Sequence, residues 1–239
     1  MAFSETLATP QLTAAGETRR PDHIYDLLVR DDPRLDLILQ DEARGLETIQ
    51  QLLAVSVLGF LFYGFAVGLA QQLLGAGLGS RWIGTMPILT LPFSLTIAFL
   101  LALLVCLPSF YFYTQLSGLD ASFRLITAQA LRVQARTAVL LLGALPFYIA
   151  VVLAALAGAF DGTGDILLLG MALPFVVGLA GLRSLHRSFA RLAAELPVAH
   201  ARRPGFLSRM VFAWGMVYSV VCPIALWRVG EMMTALLGR

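Results

Sequence analysis

Residues 52–73 read LLAVSVLGFLFYGFAVGLAQQL, with no charged side chain among them. They lie inside a charge-free interval of 33 residues between Glu47 and Arg81. A helix needs roughly 20 mostly apolar residues to cross a bilayer, so this stretch decides the class of fold. Four more charge-free intervals follow: 38 residues between Arg81 and Asp120, 24 between Arg136 and Asp161, 17 between Asp165 and Arg183, and 18 between Arg209 and Arg228. Each can hold one crossing, placed near residues 52–73, 89–110, 137–157, 166–182 and 207–227. The 38-residue interval also has room for a re-entrant hairpin. Pro87 and Pro92 mark a helix start there, where Pro is tolerated. The stretch PSFYFYTQLSGL (108–119) reads as interfacial, because Tyr111 and Tyr113 favour the headgroup level.

The whole chain carries the same message. Of its 239 residues 58% are hydrophobic and 13% charged, with a mean hydropathy of +0.79. A soluble domain is about 25% charged. The shortfall excludes an ordinary cytosolic enzyme, a disordered chain and a nucleic-acid-binding module. Three His and two Cys are too few for a zinc framework or a disulfide scaffold. The expected fold is all-α, a polytopic transmembrane helical bundle of about five spans. All 17 basic residues are Arg. With abundant Ala, Leu and Gly, this is the codon signature of a GC-rich bacterial genome, so the expected location is the bacterial inner membrane, as a multi-pass protein.

Charge is distributed unevenly. Residues 1–50 carry ten acids against five Arg, and residues 51–239 carry twelve Arg against five acids. The loop after the first span has only Arg81, and the loop after the third has Asp161 and Asp165 with no Arg. The loops after the second and fourth spans hold Arg124, Arg132 and Arg136, and Arg183, Arg187, Arg191, Arg202, Arg203 and Arg209. Arg-rich loops stay on the cytoplasmic side, which puts the N-terminus inside and the C-terminus outside. The first 50 residues lack a basic n-region and an apolar h-region, so no signal peptide is expected and insertion relies on the internal spans.

Two domains follow: an acidic cytoplasmic N-terminal segment, 1–50, and a transmembrane domain, 51–239, with two Arg-rich cytoplasmic helical loops, 111–136 and 183–206. In the loops, Arg124, Arg132 and Arg136 fall at offsets of eight and four, and Arg183, Arg187 and Arg191 repeat every four, one helix face in each case. Arg132, Arg136, Arg183, Arg187 and Arg191 are therefore candidates for contact with anionic lipid headgroups; the alternative is that they only set topology on a solvated face. In the N-terminal segment, Asp32 can cap a helix with Pro33 at its first position. From there Leu35, Ile38, Leu39, Ala43, Leu46 and Ile49 share one stripe, interrupted by Glu42, which continues to Leu53 and into the first span. From Asp31 to Glu47 there are six acids and two Arg. A surface helix on the negative inner leaflet would be basic, so lipid is not its destination. The stripe docks either on this protein's own Arg-rich loops or in a partner's groove. On the partner reading, Leu35, Ile38, Leu39, Leu46 and Ile49 are the binding residues.

Other chemistry is sparse. Asp161 and Asp165 flank Gly162-Thr163-Gly164; the pair could work as acid and base or hold a hard cation, but a Gly-rich turn with Asp165 capping the next helix accounts for it. His23, His186 and His200 have no metal spacing, and Cys106 and Cys222, at different depths, read as small buried apolar residues. No metal, cofactor or catalytic residue is expected. Apart from Arg209 at the loop end of the fifth, no charge lies inside any span, which argues against proton-coupled transport. Gly64 and Gly68, and Gly170, Gly178 and Gly181, permit close helix contact, and Pro146, Pro174 and Pro223 would kink their spans.

An acidic N-terminal segment followed by five spans resembles the Yip1-like membrane proteins. So does the run SFRLITAQALRVQART (122–137) leading into the Pro-bearing AVLLLGALPFYIAV (138–151). The likeness is architectural and covers roughly residues 45–230; it implies a non-enzymatic membrane protein with partners. The expected function is a non-catalytic anchor or scaffold subunit of a membrane complex, with other membrane or cytoplasmic proteins and anionic lipids as partners. The alternative is a channel or carrier subunit for a lipid or small apolar solute, which a cavity between the third and fourth spans would favour.

Overall fold

The computed structural model describes residues 24–30, 35, 38–39, 42–74, 87–118, 121–159, 163–195 and 204–237. They form six helices: α1 (Ile24–Arg30), α2 (Glu42–Leu74), α3 (Pro87–Leu116), α4 (Phe123–Leu156), α5 (Thr163–Glu195) and α6 (Pro204–Leu237), with no strand among them. The five helices α2 to α6 are long and apolar enough to cross a membrane. The all-α bundle of five spans is therefore what the charge-free runs required.

The helices outrun the apolar intervals. α4 is one helix of 34 residues, and the Arg-bearing stretch read as a cytoplasmic loop is its first part. α5 likewise continues past Leu182 through Arg183, Arg187 and Arg191 to Glu195. Neither Gly nor Pro interrupts residues 123–142 or 182–195, so the backbone ladder has no reason to stop at the bilayer surface. α3 runs unbroken through Pro92 and Pro108, so there is no re-entrant hairpin within 87–116; residues 75–86 lie outside the described set. Ser122 caps α4, its hydroxyl accepting from the Leu125 amide at 3.2 Å. Gly158, at φ +81°, closes the other end, with the Ala159 amide donating to the Ala154 carbonyl at 3.0 Å.

α2 lies between α3 and α4; α6 packs along α3 and α5 along α4, while α5 and α6 meet over a shorter stretch. The close pairing of α2 and α3 needs a glycine: a Cβ on Gly64 would stand 2.6 Å from the Pro92 Cα. Large apolar side chains such as Phe62, Leu104, Phe147 and Val176 face outward, more than half exposed. On a soluble protein that surface would be a liability; on this one it is the face turned to acyl chains.

The interior has two layers. The first, at the Arg-rich end, gathers Leu52, Phe110, Leu125, Ile126, Phe189 and Trp214. The second gathers Phe60, Tyr63, Leu91, Leu95, Phe99, Tyr148 and Leu226. Cys106 belongs to the first and Cys222 to the second, both buried and unbridged. Tyr218 and Val221 pack against both layers.

The N-terminal stripe goes into the first layer. Leu27, Leu28, Leu35 and Leu39 are buried there, with Ile38 and Ile49 packed against it. α1 lies on α4, and the Arg124 guanidinium crosses over Gly45 at the start of α2. Leu35, Ile38, Leu39 and Ile49 thus lie against this protein's own helices, the intramolecular one of the two destinations. Burying the chain's own leucines in that layer is favourable by about 25 cal/mol per Å². Leu46 alone of that set stays open, 59% exposed. The cap read at Asp32 and Pro33 lies outside the described residues.

Candidate functional site

Two Arg that the spacing assigned to lipid headgroups have another role. Arg132 is 2% exposed, and its Nη1 donates to the Ser188 hydroxyl at 3.2 Å. One turn on, Arg136 Nη1 donates to the Ser184 hydroxyl at 2.8 Å. Arg132 and Arg136 are i and i+4 on α4, and Ser184 and Ser188 are i and i+4 on α5, so antiparallel helices pair them rung by rung. A buried guanidinium is tolerated only when its donors are met. Arg132 therefore locks α4 to α5 rather than facing phosphate, and half-buried Arg136 does so in part. Arg183 and Arg187 are exposed and Arg191 half-buried, so these three keep a place at the surface.

At membrane depth, α5 passes α2 through a second polar node. Pro174 has no N–H to give the Gly170 carbonyl four residues earlier. Tyr63 of α2 supplies the missing donor, its hydroxyl reaching the Gly170 oxygen at 2.7 Å. The Tyr148 ring fills the place of the absent Gly170 side chain, its Oη 2.7 Å from where a Cβ would stand.

Between α4, α5 and α6 the packing is incomplete. A cavity of about 50 Å³ lies there, lined by Gln134 and Thr137 of α4, Phe175 and Gly178 of α5, Trp214 and Tyr218 of α6, and Phe99 of α3. That is room for a few waters or methylene groups. Polar groups meet in its wall: the Gln134 amide donates to the Tyr218 hydroxyl, which donates to the Phe99 carbonyl at 3.2 Å. Trp214 stacks between Phe110 and Tyr218, with ring centroids 4.7 and 5.4 Å away, and its Nε1 donates to the Cys106 carbonyl at 3.2 Å. A Cβ on Gly178 would meet nothing within 4 Å, whereas one on Gly215 would strike the Leu182 side chain. Gly215 thus lets α5 and α6 touch at Leu182, and on either side of that contact they part.

On the Arg-rich side of Leu182 the helices part into a groove of about 270 Å³, lined by Leu182, Arg183, His186 and Arg187 of α5 and by Val211 and Phe212 of α6. Leu182 lines both spaces. The seam is therefore apolar inside with a few polar groups, and cationic at its mouth.

The spacing did not single out Gln134, Tyr218, Ser184, Ser188 or Phe212. Ser184 and Ser188 carried a signal, since they repeat every four residues one position after Arg183 and Arg187. Gln134 and Tyr218 carried none, being 84 residues apart. Asp165 stands exposed in the first turn of α5, and Asp161 lies outside the described residues. Among the described residues no three of His, Cys, Asp and Glu gather to hold a metal.

Five apolar crossings with a buried interhelical Arg–Ser ladder define a multi-pass α-helical integral membrane protein. Comparison with known proteins returns no matching family model, no matching curated protein and no matching solved structure.

Proposed function

We propose that this is a non-catalytic multi-pass protein of the bacterial inner membrane that holds a lipid or small apolar solute in the seam of α4, α5 and α6, as a carrier or channel subunit. The observation that carries this reading is the unfilled space itself. Membrane helices associate by close packing, and α5 and α6 meet over a shorter stretch than α4 and α5 do, with an unfilled space on either side of the Leu182–Gly215 contact. The wall is mostly apolar with a few polar groups, the usual make-up of a ligand pocket. Native mass spectrometry of the purified protein tests it. A retained lipid or apolar molecule, lost when Gly178→Leu fills the cavity, is expected; identical adducts on both proteins would refute it.

A second reading, an anchor or scaffold subunit with a Yip1-like layout, draws on a different surface. Tyr25 and Val29 share the outer face of α1, each about half exposed, and Leu46 is open nearby in sequence at the start of α2. With the leucine stripe turned inward, these residues are what remains for a protein partner at the cytoplasmic face. Tyr25→Asp with Val29→Asp would then remove co-purifying proteins while leaving thermal stability unchanged; unchanged co-purification would reject this reading.

A further inference from the structure

We infer that the occupant of the seam is an anionic phospholipid of the cytoplasmic leaflet, its phosphate held by Arg183 and Arg187 and one acyl chain lying past Leu182 toward Gly178. The inference rests on the seam being a ligand site. It names the ligand from three features of the mouth.

The first feature is charge. Among the described residues, Arg183, His186 and Arg187 line the groove and no carboxylate does. Arg209, exposed, lies two residues before Val211 on the facing helix. Two guanidiniums one helical turn apart match the several acceptor oxygens of one phosphodiester, and Arg binds phosphate with paired donors. The second feature is depth. The uncharged run of α5, residues 166–182, spans 17 residues, about 26 Å at 1.5 Å per residue. It ends at the hydrocarbon boundary, so Arg183 and Arg187 stand in the headgroup layer of the Arg-rich, cytoplasmic side. The third feature is continuity. The groove's remaining lining is apolar: Leu182, Val211 and Phe212, the last 64% exposed. Leu182 also lines the inner cavity, and Gly178 lies about one turn deeper. A free phosphate would use the Arg pair and leave this apolar track empty; a phospholipid uses both.

The test is a binding titration of delipidated full-length protein in neutral detergent. Dioleoylphosphatidylglycerol and dioleoylphosphatidylcholine are added in mixed micelles, and bound lipid is counted by native mass spectrometry. The wild type should bind phosphatidylglycerol at least tenfold more tightly than phosphatidylcholine. Arg183→Gln with Arg187→Gln should abolish that preference and leave phosphatidylcholine binding within twofold. Both side chains are exposed, so the pair should fold. Gly178→Leu should weaken both lipids alike, because it removes the chain's space and leaves the mouth intact. If Gly178→Leu weakens both lipids but the Arg pair leaves the preference unchanged, the seam binds lipid and the anionic assignment is wrong. If the Arg pair abolishes the preference while Gly178→Leu changes nothing, the arginines are a surface stripe and the seam reading itself fails. Displacement of the lipid by millimolar inorganic phosphate as effectively as by a second phospholipid would overturn the lipid assignment.

Discussion

Tyr63→Phe removes one oxygen atom, and its effect should depend on a residue in another helix. Tyr63 is 0% exposed and donates at 2.7 Å to the Gly170 carbonyl. Pro174 has withdrawn that carbonyl's ordinary helical partner. Interhelical hydrogen bonds in membranes average about 0.6 kcal/mol, because a broken bond finds other partners. Here no backbone N–H is at hand, so the change strands a buried acceptor, which costs about 1–3 kcal/mol. The expected loss is therefore about 1.5 kcal/mol, near the top of the range for membrane hydrogen bonds. In a Pro174→Ala background the restored amide at 174 can donate to the Gly170 carbonyl, and Tyr63→Phe should then cost under about 0.5 kcal/mol. The assay is a double-mutant cycle by reversible denaturant unfolding in mixed micelles, with a coupling of about 1 kcal/mol expected. Equal costs of Tyr63→Phe in the two backgrounds would mean that the hydroxyl does not stand in for the proline's missing donor.

Three further outcomes follow from the same structure. Ser188→Ala should destabilise by about 1.5–2 kcal/mol, because it takes an acceptor from a buried guanidinium, and Ser184→Ala by less, since Arg136 is only half-buried; unfolding midpoints in the reverse order would contradict the ladder. Leu35→Asp with Leu39→Asp puts two carboxylates into a sealed core and should lower the melting temperature sharply with no change in co-purifying proteins; loss of partners at unchanged melting temperature would return the stripe to a docking role. For sidedness, His186 and Ala159 are suitable probes, because both are exposed. In a background without native Cys, a maleimide should reach His186→Cys only from the cytoplasm and Ala159→Cys only from outside, and the opposite pattern would reverse the Arg-count orientation.

The spans were legible because a bilayer imposes one requirement, length without charge, that any sequence must display. How the spans pair was not. In lipid there is no apolar face to hide, so α2, α3 and α6 carry almost no periodic pattern, and which neighbours they choose rests on local fits such as Gly64 against Pro92. Arg132 shows the limit of spacing alone. It shares its stripe with Arg124 and Arg136, yet it is buried because Ser188 on another helix offers an acceptor. The leucine stripe of the N-terminal segment was legible as a stripe, but its destination was not, since both candidate destinations reward the same pattern. The seam was invisible to sequence reading: a space left between helices has no residues of its own.

The two-layer interior has a mechanical consequence. Among the described residues, Tyr218 and Val221 are the side chains that pack on both layers. Tyr218 also forms part of the cavity wall and is bonded to α4 and α3 through Gln134 and the Phe99 carbonyl. With Val221 it ties together, from the side, two layers that the helices already join end to end. A molecule wedged beside Tyr218 therefore presses on a side chain that touches both layers at once.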